Sequence, residues 1–85
     1  MDAFIYFKEP MGYGLDELED ALTDALGNVG EVTGTGTGEM GANLDVEFFE
    51  EIGESRALGI LRQALAAFSL PSSSEVVIDG QRHKL

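Results

Sequence analysis

Cysteine is absent from these 85 residues. Disulfides, thiolate metal shells and thiol catalysis are therefore excluded. A small domain without such staples suits a reducing cytoplasm better than secretion, so a cytoplasmic location is expected. Basic residues are scarce: five Lys and Arg face sixteen Asp and Glu, with one histidine and a net charge of −11. A field of that sign repels nucleic acid and anionic membrane and attracts basic partners. No apolar run approaches the about 18 to 20 residues that span a bilayer. The opening Met1-Asp2-Ala3-Phe4 has no basic n-region, so no signal peptide is expected. Proline occurs twice, at Pro10 and Pro71, and both positions mark chain breaks.

What is present describes one domain, residues 1–85, with an ordinary hydrophobic share of 44%. The charge is unevenly spread. Residues 1–55 hold fourteen acids and one base, Lys8, whereas residues 56–85 hold Glu75 and Asp79 against Arg56, Arg62, Arg82 and Lys84. Two readings stay open: a surface that meets a basic partner, or a solvated acidic shell suited to solubility or high salt.

The pattern along the chain predicts six elements. Ala3 to Lys8 reads as a strand, broken by Glu9-Pro10-Met11-Gly12-Tyr13-Gly14. Leu15 to Leu26 reads as a helix, with Leu15, Leu18, Leu22, Ala25 and Leu26 on one stripe and a stop at Gly27-Asn28. Glu31 to Gly38 alternates Thr with Gly and reads as a strand. A turn over residues 39–43 leads to a second strand, Leu44 to Glu50. A helix over about residues 55–69 follows, with Ser55 as N-cap, and Leu70-Pro71-Ser72-Ser73-Ser74 turns the chain. Glu75 to Asp79 is the last strand. Gly80 closes it, and residues 80–85 form a short basic C-terminal tail.

The order β-α-β-β-α-β predicts an α+β domain of the ferredoxin-like split βαβ type. It would have a four-stranded, mostly antiparallel sheet with both helices on one face. The other face would be open. With Ile5, Phe7, Val32, Leu44, Val46, Phe48, Val76 and Ile78 turned to the helices, it would carry Phe4, Tyr6, Lys8, Thr33, Thr35, Thr37, Asp45, Glu47, Phe49 and Val77. Aromatics among polar groups suit recognition of another macromolecule or a second copy of the chain.

Catalytic and cofactor signals are weak. Gly36-Thr37-Gly38-Glu39-Met40-Gly41 matches G-x-G-x-x-G, but a strand follows it where a dinucleotide site needs a helix. Gly34 and Gly36 are expected to let a helix lie close to the sheet. His83 stands alone near the C-terminus, and Ser72 to Ser74 have no base nearby in sequence. Asp45 and Glu47 would hold Ca²⁺ or Mg²⁺ only weakly, without an EF-hand pattern. A glycosidase-like carboxylate pair would need a cleft that 85 residues hardly provide. The expectation is therefore a non-enzyme with no cofactor and no metal.

The stretch Gly30-Glu31-Val32-Thr33-Gly34-Thr35-Gly36-Thr37-Gly38, then Asn43-Leu44-Asp45-Val46-Glu47, and the ending Leu65-Ala66-Ala67-Phe68-Ser69-Leu70-Pro71 resemble small acidic immunity proteins of bacterial polymorphic toxin systems. The resemblance runs over most of residues 4–79. It implies inhibition of a cognate toxin by complex formation, the partner being a toxin or effector with a basic surface. No binding residues carry over from it. The residue pattern alone supplies the candidates: Asp16, Glu17, Glu19, Asp20 and Asp24 on the first helix, and Tyr6, Asp45, Glu47 and Phe49 on the open face. The competing readings are a phage-type inhibitor that mimics nucleic acid and a dimeric ferredoxin-like structural or regulatory domain.

Overall fold

A computed structural model of the chain describes residues 1–8, 15–38, 41–70 and 73–85. The expected break over residues 9–14, the turn residues Glu39 and Met40, and Pro71 with Ser72 lie outside the described residues. The elements run β1 (Asp2–Phe7), α1 (Leu15–Leu26), β2 (Gly30–Gly38), β3 (Gly41–Phe48), α2 (Glu54–Leu65), β4 (Glu75–Ile78) and β5 (Gln81–Lys84). The domain is α+β, and its described residues form two helices and one five-stranded sheet in the order β2-β3-β1-β4-β5. Every neighbouring pair is antiparallel.

Side-chain alternation decides which sheet face is covered. Ala3, Ile5 and Phe7 of β1, Leu44, Val46 and Phe48 of β3, and Val76 and Ile78 of β4 are all buried. They form one cluster with Leu18, Leu22 and Leu26 of α1 and Ala57, Leu58, Leu61 and Leu65 of α2. Both helices therefore pack on one face, as the period-two and helical spacings required. Each fully buried Leu or Phe in this cluster contributes roughly 1.5–3 kcal/mol relative to exposure.

Four local expectations need correction. First, the sheet has five strands, because residues 81–84 are not a tail. Ile78 and Gln81 pair across a two-residue turn, with φ of 49° at Asp79 and 79° at Gly80. Two positive φ values in succession are the geometry that Asp-Gly favours in tight hairpins. Second, β3 begins at Gly41, so residues 41–43 belong to the strand. Gly41 has φ 137°, and a Cβ there would stand 1.8 Å from the Phe7 carbonyl oxygen. Third, Ser55 does not cap α2. Gly53 occupies that position, with no side-chain cap. Fourth, α2 ends at Leu65, not near residue 69.

A β-bulge alters the hairpin of β2 and β3. Val32 pairs with Val46, but Gly34 pairs with Asp45, which leaves Thr33 as the extra residue. The Thr33 hydroxyl donates to the Asp45 carbonyl at 3.3 Å. Beyond the bulge the faces are exchanged relative to a simple alternation. Gly34 and Gly36 share the open face with Asp45 and Asn43, while Thr35 and Thr37 oppose Leu44 and Ala42 on the helix side. Thr35 and Thr37 are nonetheless exposed.

Candidate functional site

The strand register builds the open face row by row. Directly opposed residues of antiparallel strands share a face. One row reads Gly34, Asp45, Phe4, Val77 and Arg82 from β2 to β5, and the next reads Gly36, Asn43, Tyr6, Glu75 and Lys84. Toward the start of β1 a third row holds Glu31, Glu47 and Asp2. Phe4 and Tyr6 are each 37% exposed, in the middle of the sheet.

This face is divided by charge. Its β2–β3 side carries Glu31, Asp45 and Glu47, with Asp2 beside them on β1. Its β4–β5 side carries Arg82 and Lys84. There Glu75 accepts a hydrogen bond from Lys8 Nζ at 2.9 Å and another from Arg82. The Arg82 bond, and then the Lys8 bond, hold the Glu75 carboxyl below the usual glutamate value. Glu75 in turn raises the Arg82 guanidinium. This carboxylate is neutralised within the molecule.

The helix side is divided the same way. α1 packs against β2 and α2. Its Asp16, Glu17, Asp20 and Asp24 are exposed and Glu19 is half-buried. None of these five acids forms an ion pair among the described residues. α2 docks toward β5 instead. Its Glu54 Oε1 lies 3.1 Å from His83 Nε2, and its Arg62 guanidinium donates to the Lys84 carbonyl at 2.7 Å. The acids of α1, β2 and β3 thus lie toward one flank of the molecule, and Arg62, Arg82, His83 and Lys84 lie toward the other.

No protein-family model matches this chain. No curated protein or solved structure matches it either.

Tyr6, Asp45 and Glu47 fall on one face, as the alternation predicted. The acids of α1 lie on the opposite side of the sheet and do not join them in one site; the two groups flank the β2 edge from either side. Phe49 follows the end of β3, 55% exposed, where its amide donates to the Val29 carbonyl at 2.9 Å. It is set apart from Phe4 and Tyr6. Thr35 and Thr37, expected on the open face, are on the helix side, and Gly34 and Gly36 do not meet a helix. A Cβ on either would approach Asp45 Oδ2 or Asn43 Oδ1, at 3.2 and 2.6 Å. The Lys8–Glu75–Arg82 group was missed because Lys8 lies far from Glu75 in sequence and because the stretch that holds Arg82 was read as a tail. Asp79-Gly80 was the available signal, since a hairpin there brings Arg82 beside Val77 and Lys84 beside Glu75. Among the described residues, no three His, Asp or Glu side chains converge as metal ligands would.

Proposed function

We propose that this chain is a non-catalytic, protein-binding inhibitor that receives a basic surface on its acidic flank. The partner class implied by the resemblance is a bacterial toxin whose active site or substrate surface the inhibitor occludes, which makes the chain an immunity protein. We read its architecture as a ferredoxin-like split βαβ core, since β2-β3-β1-β4 with two helices on one face has that order, extended by β5.

The observation that carries the reading is the uncompensated charge of α1. Asp16 and Asp20, and Asp20 and Asp24, are like-charge i, i+4 pairs with no ion-pair partner among the described residues. Each such pair costs a helix roughly 0.2–0.5 kcal/mol. A basic partner relieves that repulsion, and the field speeds its encounter. Glu75, by contrast, is already neutralised and has little left to offer a partner.

The test begins with capture of partners from the source lysate on the tagged chain. The activity of any stoichiometric basic partner is then assayed with and without the chain. Inhibition that is lost when Asp16, Asp20 and Asp24 are changed to Lys supports the reading. A partner whose activity is unaffected defeats it.

A homodimer is favoured by one specific observation. A two-fold axis parallel to β1, between two open faces, would set the Glu31–Asp45–Glu47 side of one copy against the Arg82–Lys84 side of the other. Phe4 and Tyr6 would then meet their own copies. Sedimentation at low and high salt tests this, because a dimer held by that charge pattern dissociates as salt rises.

A further inference from the structure

The two edges of the sheet are managed differently. β5 spans only Gln81–Lys84 and carries Arg82, His83 and Lys84, and short charged edges resist pairing with other chains. β2 spans Gly30–Gly38, and its bulge at Thr33 disrupts the first half only. The stretch Gly34–Gly38 beyond the bulge has neither charge nor proline. Its neighbour on one side is β3, and among the described residues no strand pairs with its other side. Thr35 and Thr37 are exposed, so the helices leave this stretch uncovered.

The second observation concerns what overhangs this edge. Gly34 and Gly36 put no side chains on the open face, and Asp45 and Asn43 of β3 lean across them. Asn43 Nδ2 donates to Asp45 Oδ1 at 3.2 Å, while Asp45 Oδ2 is the oxygen nearest Gly34. A carboxylate oxygen is therefore presented over bare backbone, toward the side where another strand would lie. A strand added to β2 sits about 4.8 Å away. Its long side chains on the open face would meet no β2 side chain at the glycines before they reach Asp45 and Asn43. Glu31 and Glu47 continue the negative charge along the same face, and α1 adds more from the other side.

We propose that the Gly34–Gly38 edge of β2 takes an extended basic segment of a partner protein by strand addition. Lys or Arg at alternate positions of that segment would reach Asp45 across Gly34 and Gly36. Backbone hydrogen bonds give such a complex its affinity and the side-chain alternation its specificity. This deepens the reading of the chain as a binder of basic proteins and rests on it.

The probe is a capped heptapeptide in which Lys alternates with Thr and Val, titrated into the full chain. Amide hydrogen exchange and NMR shifts locate it. Three controls carry Glu in place of Lys, or N-methyl groups on one or the other alternate set of backbone nitrogens. The expected result is protection confined to β2 amides and no binding of the Glu peptide. One N-methylated peptide should bind at least about tenfold more weakly while the other is tolerated, because only one set of N–H groups faces β2. Asp45→Asn should weaken the parent peptide by about fivefold to tenfold. Equal binding of both N-methylated peptides would overturn the proposal, and so would protection at α1 in place of β2. Protection of β2 in the free protein, together with a dimeric mass, would also overturn it and assign the edge to a second copy. Strand addition of the peptide alongside a captured partner that stays active would sink the inhibitor reading alone. Inhibition of the partner with no discrimination between the methylated peptides would sink this proposal alone.

Discussion

The Asp45 carboxylate overhangs Gly34, so that a Cβ placed on that glycine would lie 3.2 Å from Asp45 Oδ2. The contact is with the end of a side chain, which can turn aside. Gly34→Ala should therefore change stability by less than about 1 kcal/mol in urea unfolding. A larger loss would mean that the Asp45 side chain is fixed where it stands.

Gly41 gives the opposite case. A Cβ there would meet the Phe7 carbonyl oxygen at 1.8 Å and the Phe7 carbonyl carbon at 2.8 Å, on a residue with φ 137°. Both obstacles are backbone atoms of the central strand. Gly41→Ala should destabilise the fold by about 3 kcal/mol or more, seen as a lower urea midpoint. A midpoint within about 0.5 kcal/mol of the parent protein would show that β1 and β3 can separate there at little cost.

Glu75 sets a pH dependence whose sign follows from its two cations. Its carboxyl is lowered from 4.5 by the bonds from Arg82 and Lys8. The stabilisation is therefore fully present above the unfolded value and is lost as pH falls through the folded value. Between about pH 6 and about pH 3, the parent protein should lose more stability than Glu75→Gln does. Parallel pH profiles for the two proteins would contradict the assignment.

Ser74 is the one buried polar residue among those described, and its Oγ has no hydrogen-bond partner there. A buried hydroxyl in that state carries a desolvation cost of roughly 1–3 kcal/mol. Ser74→Ala should keep stability or raise it by about 1 kcal/mol, measured by thermal unfolding. Clear destabilisation would mean that the hydroxyl bonds to something in solution.

Much of the fold could be read where one signal dominated. The Leu18, Leu22 and Leu26 spacing fixed α1 because a helix brings residues four apart onto one stripe. Strict alternation in β1 and β3 placed Ile5, Phe7, Leu44, Val46 and Phe48 inward. β2 was misread because Thr alternates with Gly without a break from Thr33 to Gly38, straight through the bulge residue. No apolar pattern marks the extra residue, and one inserted residue exchanges the faces that follow. β5 was misread as a tail because Gln81, Arg82, His83 and Lys84 lack the apolar alternation that announces a strand. A short edge strand needs little of it, since only His83 is even partly buried.

By itself the sequence determined composition, the two helices, the inward faces of β1 and β3, and a steep charge asymmetry between residues 1–55 and 56–85. These follow from local periodicity and counting, which need no knowledge of neighbours. Only the tertiary structure decided where that charge goes. The order β2-β3-β1-β4-β5 sends the acidic hairpin and the hairpin that carries Arg82 and Lys84 to opposite edges, with β1 between them. It also decided which carboxylates are neutralised, because the local β4–β5 hairpin brings Arg82 to Glu75, but Lys8 meets Glu75 only when the distant strands β1 and β4 pair. Coulomb attraction acts through space and not along the chain.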